Sequence, residues 1–293
     1  MDMGNEAGVE GLRIIDRDEL SELEPSVVSD EALLSPNGSI VDSAGFLEAV
    51  VDEAKELGAQ FVMSAPVTAY AQRGNQQAVV TPNDTYPADH IINAAGLHAD
   101  TIAHMMDAGK EYTVIPFRGD YLEITDLPIN SMVYQAPDLR YPFLGVHFTK
   151  TVDNDVLAGP TATISFGREA YDKGIRLGEA AWMMMKLPFW KLVLSREFLK
   201  LAVHNAKVSF IESAFLDEVL TMTPDVKQED IKPFRSGIRA QMVDKAGKMV
   251  TEFIVEYYPT QTHVLNAVSP GMTSALAFAE NVVDKILEPE STA

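Results

Sequence analysis

The chain has 293 residues, 46% of them hydrophobic, with no cysteine and with 43 Asp and Glu against 23 Lys and Arg, a net charge of −20. That composition supports one large core or two moderate ones and excludes a disulfide framework, a thiol nucleophile and a thiolate metal site. The acidic balance also argues against a nucleic-acid partner, since phosphate binding needs a basic footprint, and it leaves local arginines to dock any small anion.

The first six residues are acidic and polar, unlike a signal peptide. Residues 9–15 read as a short strand, and Asp16 as the cap of a helix over 17–23 that Pro25 ends. Residues 39–42 read as a second strand. Ser43 then caps an amphipathic helix with Phe46, Leu47, Val50, Val51, Ala54 and Leu57 on one face and Gly58 as its stop. A buried strand is expected at 59–63, then strands at 67–70 and 78–81 around a turn at 73–75. Residues 88–93 form the next expected strand. It runs through the small residues Ala94, Ala95 and Gly96 into a helix over 97–106, an arrangement that brings backbone N–H groups close to a nucleotide's phosphate or ribityl chain. Residues 39–106 thus read as part of a nucleotide-binding α/β layer.

From Thr113 the pattern changes to short strands at 113–115, 119–124, 131–135, 145–149 and 155–158, an antiparallel sheet. Residues 179–220 read as helical, broken early by Pro188. Trp182, Met183, Met184, Met185, Phe189 and Trp190 form a soft apolar cluster there, read as core before membrane contact. Strands return at 235–243 and 251–258 around a turn at 245–248, and again at 263–267. A closing helix covers 273–287. The longest run without Asp, Glu, Lys or Arg, 257–279, contains two prolines and a glycine and is not a transmembrane helix.

Six scattered histidines stand at no metal-ligand spacing, so no metal site is expected. There is no Gly-x-Ser-x-Gly elbow and no phosphate-binding lysine loop, and Gly4, Gly8 and Gly11 do not make the Gly-x-Gly-x-x-Gly fingerprint. What remains is Arg118 in Phe-Arg-Gly-Asp-Tyr, His147 in Gly-Val-His-Phe-Thr and Arg239 in Gly-Ile-Arg-Ala-Gln. Taken singly, each has an ordinary role: Arg118 pairs with Asp120 or Glu123, His147 is a core histidine, and Arg239 is an exposed strand cation.

Taken together, these segments follow a family pattern. Residues 8–12 (Gly-Val-Glu-Gly-Leu), 93–96 (Asn-Ala-Ala-Gly), 116–121 (Pro-Phe-Arg-Gly-Asp-Tyr), 142–149 (Pro-Phe-Leu-Gly-Val-His-Phe-Thr), 237–241 (Gly-Ile-Arg-Ala-Gln) and 266–277 resemble, in order and spacing, the FAD-linked L-2-hydroxyglutarate dehydrogenases and oxidases among the D-amino-acid-oxidase-like flavoproteins. The resemblance implies an α/β FAD-binding domain over 36–110 and 233–293, with an inserted antiparallel-sheet substrate domain over 1–35 and 111–232 that also carries helices. It implies FAD as cofactor, held by Val67, Ala94, Ala95, Gly96, Gly237 and the segment Ser269, Pro270, Gly271, Met272, Thr273 and Ser274, whose helix N-terminus suits an anionic reduced flavin. It implies oxidation of L-2-hydroxyglutarate to 2-oxoglutarate, with His147, or His263 in its place, taking the hydroxyl proton. Arg239 and Arg118 hold the two carboxylates. Electrons pass to oxygen or a membrane quinone, in the cytoplasm or peripherally at the inner membrane.

Two departures stand out. The family opens with a strand, glycine-rich turn and helix that hold the FAD pyrophosphate, and this sequence is expected to lack that first βαβ unit. It would then be an inactive fragment, or a subunit to which a partner chain supplies the unit. The family's His-x-Arg-Asn-Ala-Pro-Ser-Pro string is here His263-Val264-Leu265-Asn266-Ala267-Val268-Ser269-Pro270, with an arginine and a proline replaced. An amine or glycerol-phosphate oxidoreductase of the same superfamily is the neighbouring alternative.

Overall fold

The computed structural model describes residues 1–74, 76–136, 146–172, 174–196, 198–199, 212–267 and 271–287. The chain packs as two compact units, one of residues 1–61, 118–163 and 200–237, the other of 62–117, 164–199 and 238–293. This is a division by packing alone. Its boundaries differ from those of the expected cofactor and substrate domains, and it assigns neither function.

In the first unit, β1 (Arg13–Asp16) pairs antiparallel with β2 (Glu31–Leu34), Ile15 opposite Ala32. The strand starts later than expected because Gly8 and Gly11 turn the chain at φ +75° and +78°. The helix α1 (Asp2–Glu6) precedes it, and α2 (Arg17–Leu23) follows, capped as expected by Asp16, whose carboxylate accepts from the Glu19 N–H at 3.0 Å. The strand expected at 39–42 is absent. Those residues are exposed coil, and Asp42 rather than Ser43 caps α3 (Ser43–Glu56), accepting from the N–H groups of Ala44 and Gly45. No residue of α3 is buried, and the strand expected at 59–63 is exposed coil as well. Apolar runs read as buried strands only if something covers them, and among the described residues nothing does.

The sheet of this unit takes the half of β7 (Tyr112–Ile124) that begins at Arg118. The expected strands 113–115 and 119–124 are this single strand, continuous through Pro116. The order is β11 (Thr163–Ile164), β7, β10 (Val156–Gly159), β9 (His147–Lys150), β8 (Val133–Tyr134), with β12 (Ile231–Asp244) also paired to β7. The pairs from β7 through β10 and β9 to β8 are antiparallel. Leu122, Ala158 and Phe148 lie in one row across it. Ile124, Phe148, Val156 and Ala158 pack against Phe215 and Val219 of α7 (Glu212–Met222) and against Leu20 of α2 to form the core. Burial of this row and its helix is the main stabilising term for the unit.

In the second unit, β3 (Ala69–Arg73), β4 (Gln76–Val80) and β5 (Thr85–Ala88) form an antiparallel meander. The next strand, β6 (Ile91–Asn93), runs parallel to β14 (Gln261–Asn266), which pairs antiparallel with β13 (Ile254–Tyr258). The passage of β6 into a helix matches the strand and helix expected at 88–106, while its parallel partner β14 comes from far along the chain. One 3-10 turn (Gly96–His98) leads into α4 (Ala99–Met105), which packs on β14. The small core holds Ala103, Ala108, Val114, Met242 and Leu265, so Leu265, which stands where the resembled family pattern has an arginine, is here part of a buried apolar cluster.

The strand β12 (Ile231–Asp244) runs from the first unit into the second and ends in a turn where Gly247, at φ +85°, lies against α6 (Leu187–Val193); a Cβ there would come within 2.8 Å of the Leu192 nitrogen. The helical stretch is interrupted early, as expected, just ahead of Pro188. The proline sits in the first turn of α6, where its missing N–H is no loss, after α5 (Leu177–Met184). The last helix, α8 (Ala275–Leu287), starts two residues later than expected. Residues 200–211 of the expected helical stretch lie outside the described residues. Among those described, no helix is long and apolar enough to cross a membrane.

Candidate functional site

The best-defined part of the expected site is the turn after β6, and the Asn93 side chain builds it. Asn93 Oδ1 accepts from the Ala95 N–H at 3.2 Å, while Nδ2 donates to Ala99 O at 2.8 Å and to His263 Nδ1 at 3.1 Å. The two backbone contacts fix which end of the amide is which, so His263 Nδ1 is the acceptor and its proton sits on Nε2, 2.9 Å from Gln261 Oε1. His263 is completely buried on β14, in register with Asn93 across the parallel pair. Both ring nitrogens are thus engaged in holding the turn. For His263 to act as the expected catalytic base, one of these two bonds has to open.

Burial pushes the His263 pKa below the ordinary histidine value, and Glu256, opposite it on β13, offsets part of the shift. The Tyr258 ring stands edge-on at 6.0 Å, and α4, packed on the same strand, carries Asp100 and His104. The sign of the linkage follows. The unfolded chain binds this proton more readily than the fold does, so the stability tied to neutral His263 is complete above the unfolded pKa of about 6.5. It is lost as pH falls from there towards the lowered folded value. Urea midpoints measured between neutral and mildly acidic pH should decline on the acid side for the wild type and decline less for His263→Gln.

Ala94, Ala95 and Gly96 are exposed, and Gly96, at φ +53°, has nothing within 4 Å of where a Cβ would stand. The turn therefore offers bare backbone to an approaching ligand. Behind it, α4 is anchored by an ion pair the sequence gives no sign of. Asp100 is wholly buried; it accepts from Arg168 Nη1 at 2.7 Å and Nη2 at 3.2 Å, and also from the N–H groups of Thr101 at 2.7 Å and Val114 at 2.9 Å. Arg168 donates further to Leu97 O and lies over the Trp182 ring at 4.9 Å. The partners are 68 residues apart, and no spacing rule links them.

Of the other expected cofactor contacts, Val67 is half-buried just before β3, and Gly237 is exposed on β12 with no atom within 4 Å of a built Cβ. Gly271, Met272, Thr273 and Ser274 form the turn leading into α8. Ser269 and Pro270 lie outside the described residues, as do Pro142, Phe143, Leu144 and Gly145 of the motif around His147.

In the first unit, His147 pairs with Gly159 on one side and Tyr134 on the other. Its ring stacks on Tyr134 at 4.8 Å and meets the Tyr121 edge at 6.4 Å. Gly159 permits this row, since a Cβ there would come within 2.9 Å of the Tyr121 ring. Alternation along β7 sets Tyr121 on the face of His147 and Arg118 with Asp120 on the opposite face. Arg118, 6% exposed, donates through Nε to Asp120 Oδ1 at 2.9 Å and through Nη2 to the same oxygen, which also accepts from Ser236 Oγ at 2.7 Å. Arg118 is thus half of a part-buried ion pair with Asp120, and it has to share or leave that pair to grip a substrate carboxylate as expected. Arg239 stands exposed on the part of β12 that belongs to the second unit.

Comparison with known proteins adds a family, relatives and a fold. A family described as FAD dependent oxidoreductase matches residues 1–285. The L-2-hydroxyglutarate dehydrogenase of Indibacter alkaliphilus is 30% identical, over 98% of this chain and 73% of that protein. The Escherichia coli protein of the same name is 29% identical, over 93% of this chain and 65% of its own length. Among solved structures, the L-α-glycerophosphate oxidase of Mycoplasma pneumoniae, with FAD bound, matches at a TM-score of 0.69 and 22% identity, over 97% of this chain and 67% of that chain. At that identity the likeness speaks for the fold alone.

Proposed function

The chain belongs to the FAD-dependent oxidoreductase family and has its fold, and from that premise we propose that it oxidises L-2-hydroxyglutarate to 2-oxoglutarate. The observation that carries the substrate is the likeness to two L-2-hydroxyglutarate dehydrogenases across at least 93% of the chain. The residues present fit part of the cofactor: a turn of bare backbone shaped by Asn93, Ala95 and Gly96 suits close approach by a nucleotide, and the turn into the thirteen-residue α8 adds a helix N-terminus. The sequence offers no glycine-rich cradle for a pyrophosphate.

FAD, when bound, supplies the acceptor for the α-hydrogen. His147 takes the hydroxyl proton on a ring nitrogen, its plane fixed by Tyr134 and Tyr121. Arg239 holds a substrate carboxylate through charge-assisted bonds worth about 1.5–3 kcal/mol each. Arg118 has to share or leave its pair with Asp120 to hold the other. Electrons leave for oxygen or for a membrane quinone, and the protein works in the cytoplasm with a peripheral station at the inner membrane. Turnover compared among L-2-hydroxyglutarate, glycerol 3-phosphate and glycine tests the substrate; a preference for either of the last two contradicts it.

One observation favours a second reading. The chain spans about two thirds to three quarters of the length of these relatives, α3 buries nothing, and Ile40, Val41 and Phe61 are 42%, 51% and 46% exposed. In this reading a glycine-rich βαβ unit, carried by a partner chain or a longer form of this one, covers these residues and cradles the pyrophosphate. Residues 1–293 alone then bind FAD weakly. A purified sample showing the oxidised-flavin absorbance band contradicts it.

A further inference from the structure

Residues 173–200 contain six of the 23 Lys and Arg of the chain but only two of its 43 Asp and Glu. A cationic stretch is thus set within a strongly anionic protein. In the second unit this stretch forms α5 and α6, whose inward faces bury Ala180, Met183, Phe189 and Leu192. The outward faces are also apolar. Leu177, Met184, Met185, Leu187, Trp190 and Leu194 are all exposed, Leu177 at 80% and Met185 at 76%. Trp190 Nε1 donates to Met184 O at 2.7 Å, which latches the corner between the helices and satisfies the polar atom of the indole, leaving its apolar edge in solvent. Lys186 stands over the Trp182 ring at 4.4 Å, and Lys191 and Arg196 are exposed beside the apolar residues.

We propose that the outer face of α5 and α6 is the surface by which this protein lies on an anionic lipid bilayer. This deepens the peripheral-membrane part of the function proposed above and is independent of the substrate. Helices of eight and seven residues are far too short to span a bilayer. An apolar face of Leu, Met and Trp flanked by Lys and Arg is the composition that rests in the headgroup region, where each cation is attracted by anionic lipid. The acidic remainder of the chain is repelled by the same surface, which favours this face pointing down.

Charge separates this face from the other exposed apolar one. Leu47 and its neighbours on α3 are accompanied by Glu48, Asp52, Glu53 and Glu56, which an anionic bilayer disfavours. Charge also argues against a second copy of the chain as the occupant, since a two-fold contact sets the same patch against itself and brings like cations together.

Co-sedimentation of the whole chain with vesicles of phosphatidylcholine alone, or of phosphatidylcholine mixed with phosphatidylglycerol, tests this without flavin or substrate, so failure of the substrate assignment leaves the result readable. Binding is expected to the mixed vesicles only and should weaken as salt is raised. Lys186→Glu combined with Lys191→Glu should lower partitioning at least tenfold, since each cation near such a surface is worth roughly a fivefold change. Leu187→Ser combined with Leu194→Ser should also release the protein, while Leu47→Ser on α3 should not. Leu47, Leu187, Lys191 and Leu194 are exposed and Lys186 is half-buried over Trp182, while Lys191 also donates to Lys245 O at 2.8 Å; an unchanged thermal midpoint shows that a variant is folded. The proposal is overturned if mixed vesicles are ignored, if neutral vesicles bind equally well, or if either double variant binds like the wild type. It is also overturned if light scattering finds a lipid-free dimer that Leu187→Ser with Leu194→Ser dissolves.

Discussion

Replacing Asp100 with alanine is expected to cost about 3–5 kcal/mol of stability, a large part of what holds an average domain together. The carboxylate is wholly buried and serves five donors, two from Arg168, the backbone N–H groups of Thr101 and Val114, and, more distantly at 3.4 Å, the Thr101 hydroxyl. Its removal strands a guanidinium in the interior and leaves two N–H groups unpaired. Arg168→Met should be damaging as well, because Asp100 then lacks its counter-charge. The double variant Asp100→Ala/Arg168→Met should be less unstable than the two single losses added together. Urea unfolding of the three variants measures this, and a loss below about 1 kcal/mol for Asp100→Ala contradicts the anchoring role given to the pair.

His147→Phe should lower turnover of L-2-hydroxyglutarate by about 10²–10⁴-fold, the usual contribution of a positioned general base. Phenylalanine keeps a flat ring against Tyr134 and removes both nitrogens, so the strand pairing and the aromatic row survive. Unfolding midpoint and flavin affinity should stay near the wild type while kcat falls. Turnover within a factor of two of the wild type removes His147 from the proton transfer.

Local chemistry made much of the chain legible from sequence. Asp16 caps its helix because a carboxylate three residues before a free N–H satisfies it without help from elsewhere. The hairpin of β3 and β4, β6 and the turn after Asn93 follow from alternation and from the small residues themselves, whereas β5 is not among the expected strands. The misread strands at 39–42 and 59–63 fail for the opposite reason. Their apolar residues require a neighbouring layer to become buried, and periodicity cannot say whether that layer is present.

The site was legible unevenly on the same grounds. His147 and Arg118 were singled out by their motifs, but which face each side chain takes depends on strand register, and that separated them. Arg118 pairs with Asp120, the ordinary alternative. The engagement of both His263 nitrogens, with Asn93 and Gln261, is set by the parallel pairing of β6 and β14 and leaves no trace in the sequence. The Asp100–Arg168 pair had no sequence signal at all, since tertiary packing alone brings the two together.

The most direct measurement is an anaerobic half-reaction: the protein saturated with FAD is mixed with L-2-hydroxyglutarate while the oxidised-flavin absorbance is followed. The account expects the band to bleach and one 2-oxoglutarate to form for each flavin reduced. A flavin that stays oxidised with L-2-hydroxyglutarate but bleaches with glycerol 3-phosphate or glycine contradicts it.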